Sequence, residues 1–362
     1  MFEYFWIPAF AFAACVIAIL LVRPIAVAAD LVDRPGGRKR HEGVIPLVGG
    51  IGITLALALM SAAFVRPLGI YAALLGGILL LVIVGMMDDL RGVSPMIRLA
   101  VQFFAAILMT SWGGVYLTSL GDLLGHREIA LADWSIPLTL LAALAVINAM
   151  NMSDGLDGLA GGLAFFMFAW FAVIAGDIGN LMAQRICLIF CGAILGFLLF
   201  NLPHRLRHNR LRVFLGDAGS LTLGYGIVWF AVQLSQGQYN GGKSVPPVVL
   251  LWVAGFLLID LLAVVARRVV SGRNPLSADR THLHHILLRM NSRPGLTVAF
   301  ILASNVVMGL IGVMGWRAGV PESVLFLAFL VLTAVHLCIM HNAARFLRRG
   351  RRWFARGSKL LH

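Results

Sequence analysis

Apolar stretches of about twenty residues, separated by short polar connections, recur along the whole chain. A bilayer core takes about 20 apolar residues per helix. On that length eleven spans are expected, at 4–25, 47–65, 69–87, 96–117, 136–153, 159–176, 184–202, 217–236, 248–268, 296–316 and 322–342. Only Ser153 to Gly158 divides the fifth from the sixth. The first run has no basic stretch before it, and its first positive charge, Arg23, follows it. A retained span is expected there rather than a cleaved signal peptide. The fold class is therefore an all-α polytopic membrane protein, a single integral-membrane domain over residues 1–362. No internal repeat is evident, and no loop is long enough to fold alone.

Composition agrees with the pattern. Hydrophobic residues make up 60% of the chain and charged residues 12%, against roughly a quarter charged in soluble domains. A mean hydropathy of +0.91 excludes a disordered chain and argues against a soluble enzyme. The four cysteines lie in apolar runs, so neither a disulfide framework nor a zinc site is expected. The 39 glycines suit helices packed closely in a bilayer.

The net charge of +13 would suggest nucleic acid in a soluble protein. Here 24 of the 29 Lys and Arg residues fall on one alternating set of connections. Under the positive-inside rule that side is cytoplasmic, which puts the N-terminus outside and the C-terminus inside. The basic, aromatic-interleaved tail at about 345–362 reads as an anchor on anionic lipid, not as a nucleic-acid site.

Acidic and amide groups at membrane borders need a reason, and on the expected cytoplasmic face they cluster. The first loop holds Arg38, Lys39, Arg40 and His41, then Gly49-Gly50. It is either a topogenic basic loop or an anion site for phosphates. Asp88 and Asp89 close a span, where the helix C-terminus disfavours negative charge. They are either a charged helix stop, with Arg91 as local partner, or ligands of a hard divalent cation. Asn148, Asn151, Asp154 and Asp157 recur every three residues. A continuing helix would place them in one polar stripe, suited to a nucleobase or sugar, or else to hydrogen bonding between helices. Phe214-Leu-Gly-Asp217-Ala-Gly opens the eighth span. A carboxylate at a helix N-terminus beside glycines suits a metal–phosphate pair, and equally a plain N-cap. Phe214 is either core or a stacking surface.

The longest expected cytoplasmic loop carries Asp279-Arg280-Thr281-His282-Leu283-His284-His285. Its histidines lack zinc-site spacing. With Arg280 they suit a phosphate and sugar clamp, unless the loop is simply exposed. Asp260, inside the ninth span, is either paired within the bundle or part of a lipid-head pocket. Together these features point to a diphosphate site at the bilayer edge, where a soluble reactant meets a lipid. The outer face has no matching set, which weakens a transporter reading.

The segments DRPGGRKRHEGVIPLVGG, GMMDDLRG, NAMNMSDGLDGLAGG, FLGDAGSL and RTHLHHIL, in this order, resemble those of polyprenyl-phosphate N-acetylhexosamine-1-phosphate transferases. Leu283 interrupts the histidine run that is unbroken in the phospho-MurNAc-pentapeptide branch. The chain is thus similar to the branch using UDP-GlcNAc and undecaprenyl phosphate, with other UDP-N-acetylhexosamines as alternatives. The resemblance implies transfer of GlcNAc 1-phosphate with release of UMP, at the cytoplasmic face of a bacterial inner membrane, as the first lipid-linked step of a cell-surface polysaccharide. It implies Mg2+, with Mn2+ as a substitute, and a homodimer as a possible assembly. Asp88 and Asp89 would be catalytic, and Asp217 and Asp88 metal ligands. Asn148, Asn151, Asp154, Asp157 and Phe214 would bind the nucleotide. Lys39, His41, Arg280, His282, His284 and His285 would bind phosphates or sugar.

Overall fold

The computed structural model describes residues 2–34, 43–203, 211–237, 242–270, 272, 282–289 and 293–342. Each expected span folds as helix. In chain order these are α1 (Phe2–Ala28), α2 (Gly49–Phe64), α3 (Tyr71–Arg91), α4 (Pro95–Ser111), α5 (Ser135–Ser153), α6 (Leu159–Asp177), α7 (Leu181–Asn201) and α8 (Gly216–Ser235). After them come α9 (Pro247–Val253), α10 (Gly255–Val270), α11 (Leu283–Arg289), α12 (Pro294–Arg317) and α13 (Glu322–His341). Two short strands, β1 (Val32–Asp33) and β2 (Ile45–Pro46), pair antiparallel between α1 and α2.

Among the described residues, seven helices are long and apolar enough to cross a membrane, or eight if α9 and α10 count as one span. That pair corresponds to the expected ninth span but is bent by 78°. With 16 and 17 residues, α2 and α4 are shorter than a full crossing. Length therefore supports fewer crossings than the eleven apolar runs suggest, because a run of apolar residues does not reveal a bend or an early end.

Helix ends follow local chemistry. Ser94 caps α4, its Oγ accepting the Ile97 N–H, and Pro95 supplies a preset first turn. Asn180 caps α7 by accepting the Ala183 N–H at 3.0 Å. The expected polar stripe is cut short because α5 stops at Ser153. Gly158 then adopts φ +77°, a left-handed conformation that glycine takes without a Cβ clash, and the chain turns into α6. Asp154 and Asp157 thus lie in a turn rather than on the helix face of Asn148 and Asn151.

The centre of the bundle is α8. Of its twenty residues only Asp217 and Ala231 are not buried, as expected of a helix apolar on all sides. Helices α2, α3, α5 and α6 surround it. Its polar groups are paired internally: Gln233 donates to the Tyr71 hydroxyl at 2.8 Å and accepts from Trp229 Nε1. Deeper in the core, Phe168 and Phe190 stack with ring centres 4.0 Å apart. The outward faces of α1, α12 and α13 expose Leu21, Ile25, Leu310, Leu327 and Val331, a surface suited to lipid.

Two close backbone approaches fix the site end of α8. A Cβ on Gly50 would stand 2.2 Å from the Gly219 nitrogen, and one on Gly85 would stand 2.3 Å from the Ala218 nitrogen. The glycines therefore let α2 and α3 press directly on the first turn of α8. The segment before α8 is stitched to the segment before α2. Phe214 N–H donates to Pro46 O, Gly49 N–H to Phe214 O and Gly50 N–H to Leu215 O.

Candidate active site

At this end of the bundle the C-terminus of α3 meets the N-terminus of α8. Both carboxylate oxygens of Asp89 accept the backbone N–H of Asp217, at 3.0 and 3.1 Å. Asp89 therefore acts as an N-cap supplied from another helix, and the unfavourable acid at one helix end is stabilised by the positive end of the next. Asp88 turns elsewhere. Its Oδ1 accepts the Val93 N–H at 2.6 Å, and its Oδ2 accepts from Arg98 at 2.7 Å. The same guanidinium lies 3.5 Å from Asp217 Oδ2.

The cause is local. Gly92 takes φ +70° and reverses the chain after α3. The first turn of α4 then carries Arg98 back over the carboxylates. Arg91, the partner offered by sequence, is exposed.

Asn151 completes this cluster by donating to Asp217 Oδ1 at 2.6 Å and to Ser220 Oγ at 2.8 Å. Asn148, one turn deeper, donates to Gln102 Oε1 at 2.6 Å and to Leu144 O at 2.8 Å. That is the interhelical pairing offered above as one alternative. Surrounding protein, and then the negative charge of Asp217, Asp89 and Asp157, push the Asp154 carboxyl up to about 7. A cation bound among these carboxylates would relieve their mutual repulsion.

The turn from Asp154 to Gly158 is held from both sides. Gly158 N–H donates to Asn201 Oδ1 at 2.7 Å, and Asn201 donates onward to Val213 O. Asp157 forms an ion pair with Arg212. The Arg212 guanidinium also lies over the Phe214 ring, 5.1 Å from its centre, a cation–π contact. Arg98 and Arg212 were legible in sequence only as members of the basic face. Nothing in their spacing marked them for this cluster.

The histidine motif reaches the same turn, but not as an open loop. His282 and His284 are each 4% exposed, and residues 283–289 form α11. His284 Nε2 faces Gly155, where a Cβ would come within 2.9 Å of it. Burial, and then electrostatic interaction with the neighbouring His285 and His282 rings, pull the His284 pKa down to about 4. It is thus a neutral ring near pH 7. Lys39, His41 and Arg280 lie outside the described residues.

The donor set can be tested against a metal ion. Among the described residues, no three His, Cys, Asp or Glu side chains form a ready-made metal site. What gathers is a carboxylate pair, Asp88 and Asp217, sharing one guanidinium. Hard oxygen donors of this kind fit a divalent cation that keeps several of its ligands for water or substrate phosphate.

Residues 71–235 match the profile described as glycosyl transferase family 4. The chain is similar to the undecaprenyl-phosphate alpha-N-acetylglucosaminyl 1-phosphate transferase of Yersinia pestis, 34% identical over 95% of this chain and 94% of that one. The protein of the same name from Salmonella typhi is 36% identical, over 95% and 93%. That of Escherichia coli K12 is 34% identical, over 92% and 91%.

Proposed function

The chain belongs to the polyprenyl-phosphate N-acetylhexosamine-1-phosphate transferase family, and from that premise we propose that it transfers GlcNAc 1-phosphate from UDP-GlcNAc to undecaprenyl phosphate. A phosphate oxygen of the lipid attacks the β-phosphorus of the donor. The bond between that phosphorus and the oxygen bridging to the α-phosphate breaks. Undecaprenyl-diphosphate-GlcNAc and UMP leave. The observation that carries this reading is the convergence of Asp88, Asp217, Arg98 and Asn151 at one helix junction beside the Asp154–Gly158 turn.

Within it, Arg98 is placed to offset charge on the transferring phosphoryl group, as cationic clamps do in phosphoryl transfer. Asp88 would orient the attacking lipid phosphate, a role supported by its pairing with Arg98. Asp89 fixes the position of Asp217 by capping α8. Phe214, whose ring lies beside Arg212, is assigned to the base, with Asn151, Asp154 and Asp157 to the rest of the nucleoside. Asn148 supports Asn151 from below. Lys39, His41, Arg280 and the three histidines are assigned to the phosphate and sugar end of the donor. Mg2+, or Mn2+ in its place, would be held by Asp217 and Asp88, where it would neutralise diphosphate oxygens.

The basic excess on the connections at this end supports a cytoplasmic site in a bacterial inner membrane. The test is UMP release by purified protein in detergent with a panel of UDP-sugars, each with and without undecaprenyl phosphate. UMP that forms only with UDP-GlcNAc and the lipid phosphate together supports the reading. UMP formed without the lipid contradicts it.

A further inference from the structure

Asp260 sits inside α10, 7% exposed, where an ionised carboxylate requires partners. It has them from two other helices. Its Oδ2 is 2.8 Å from His282 Nδ1, and its Oδ1 accepts the Leu283 N–H at 3.0 Å. His336 Nε2, on α13, lies 3.8 Å from Oδ1. One carboxylate thus gathers α10, the start of α11 and α13. The histidines continue the chain of contacts: His282 and His284 lie nearly parallel with ring centres 5.7 Å apart, and His285 lies tilted by 46° against His284 at 4.1 Å. From the middle of this row, His284 Nε2 faces Gly155 and is buried without a hydrogen-bond partner among the described residues.

From this geometry we infer that Asp260 is a positioning residue for the transfer. It holds His282 with the proton on Nδ1 and fixes the first turn of α11. The histidine stack is thereby aimed at the Asp154–Gly158 turn. A carboxylate has no proton to give, so a hydrogen bond at Nδ1 requires Nδ1 to be the donor. Such carboxylate–histidine pairs set tautomer and ring orientation in many sites. The backbone bond to Leu283 adds a second constraint, which keeps α11 from rotating about that contact. The inference rests on the reading that the histidines meet the sugar-phosphate end of the donor. UMP lacks that end. Loss of the positioning should therefore weaken UDP-GlcNAc and leave UMP untouched.

The experiment pairs Asp260→Asn kinetics with imidazole 15N spectra of the full-length protein in detergent. The asparagine Oδ1 still accepts the Leu283 N–H. Its amide nitrogen, however, donates to His282 Nδ1 and forces the opposite tautomer. We expect a rise of about tenfold in the KM for UDP-GlcNAc, the scale of one lost oriented contact. The KM for undecaprenyl phosphate and the inhibition constant for UMP should stay within about twofold of wild type, a margin well under one such contact. The His282 signal, assigned by its loss in His282→Gln, should move from protonated Nδ1 to protonated Nε2.

Unchanged donor KM would overturn the positioning role. A parallel loss of donor, acceptor and UMP affinity would reduce Asp260 to a structural anchor. The wild-type spectrum decides independently of any Asp260 variant, because His282 bearing its proton only on Nε2 contradicts the geometry. Absence of turnover in the wild type on UDP-GlcNAc would instead strike the transferase reading, and the spectrum would still judge the His282 tautomer.

Discussion

The carboxylate of Asp89 accepts the Asp217 N–H with both oxygens, at 3.0 and 3.1 Å, and so joins the end of α3 to the beginning of α8. An aspartate that looks like half of an acidic pair is, in the fold, the cap of another helix. Asp89→Ala removes the acceptor and should lower stability by about 1 kcal/mol, the usual cost of a lost N-cap. Asp89→Asn keeps an acceptor oxygen and should retain most of that stability. Thermal unfolding of the two variants in the same detergent compares them, and equal stability of Asp89→Ala and wild type would contradict the capping role.

Asp88 and Asp217 face one guanidinium, that of Arg98, at 2.7 and 3.5 Å. Asp217→Asn should cut kcat by about 100-fold, roughly 2.7 kcal/mol of transition-state stabilisation. It should also raise the Mg2+ concentration for half-maximal rate, because a charged oxygen ligand is lost. A metal titration of wild type and variant at saturating substrates measures both effects. A variant with wild-type rate and the same metal dependence would remove Asp217 from the metal site.

Much of this was legible in the chain itself. Charged and amide groups stand out against long apolar runs, so Asp88, Asp89, Asn151, Asp154 and Asp217 announced themselves by the cost of placing them there. The partners were harder to find. Arg98 and Arg212 are ordinary members of a basic face until α4 folds back over α3 and the segment before α8 crosses the Asp154–Gly158 turn. A spacing of three fits a helix as well as it fits a helix followed by a turn, so the end of α5 at Ser153 was hidden. The 78° bend between α9 and α10 falls in an unbroken apolar run with no proline at the break. Asp260 is paired with His282, twenty-two residues away, a distance at which spacing says nothing.

Arg212 serves two neighbours at once, the Asp157 carboxylate and the Phe214 ring. Arg212→Ala should raise the KM for UDP-GlcNAc about tenfold, the scale of one lost oriented contact, and leave the KM for undecaprenyl phosphate near wild type. Arg212→Lys should recover little of the loss, because an ammonium lacks the planar face that lies over the ring. Steady-state kinetics with each substrate varied in turn separates the two constants. Equal effects on both would mean that Arg212 supports the fold rather than the nucleotide.

Sidedness is open to direct labelling. Of the four cysteines only Cys338 is exposed, so a Cys338→Ser background suits the experiment. A cysteine at Arg91, beside Asp88 and Asp89, should react with an impermeant maleimide only after the inner membrane is opened. One at Lys243, on the connection between α8 and α9, should react in intact spheroplasts. Reaction of both from the same side would break the assignment of the site to the cytoplasm.

The central claim is that the sugar and its phosphate move together onto a lipid. UDP-GlcNAc carrying 32P at the β-phosphate and 3H in the sugar tests it most directly. Both labels should pass in a one-to-one ratio into the butanol-extractable lipid, leaving unlabelled UMP in the water phase. Tritium in the lipid with 32P left behind in UDP would mean that the sugar alone is transferred. Both labels remaining in water-soluble UDP-GlcNAc would mean that no transfer occurs.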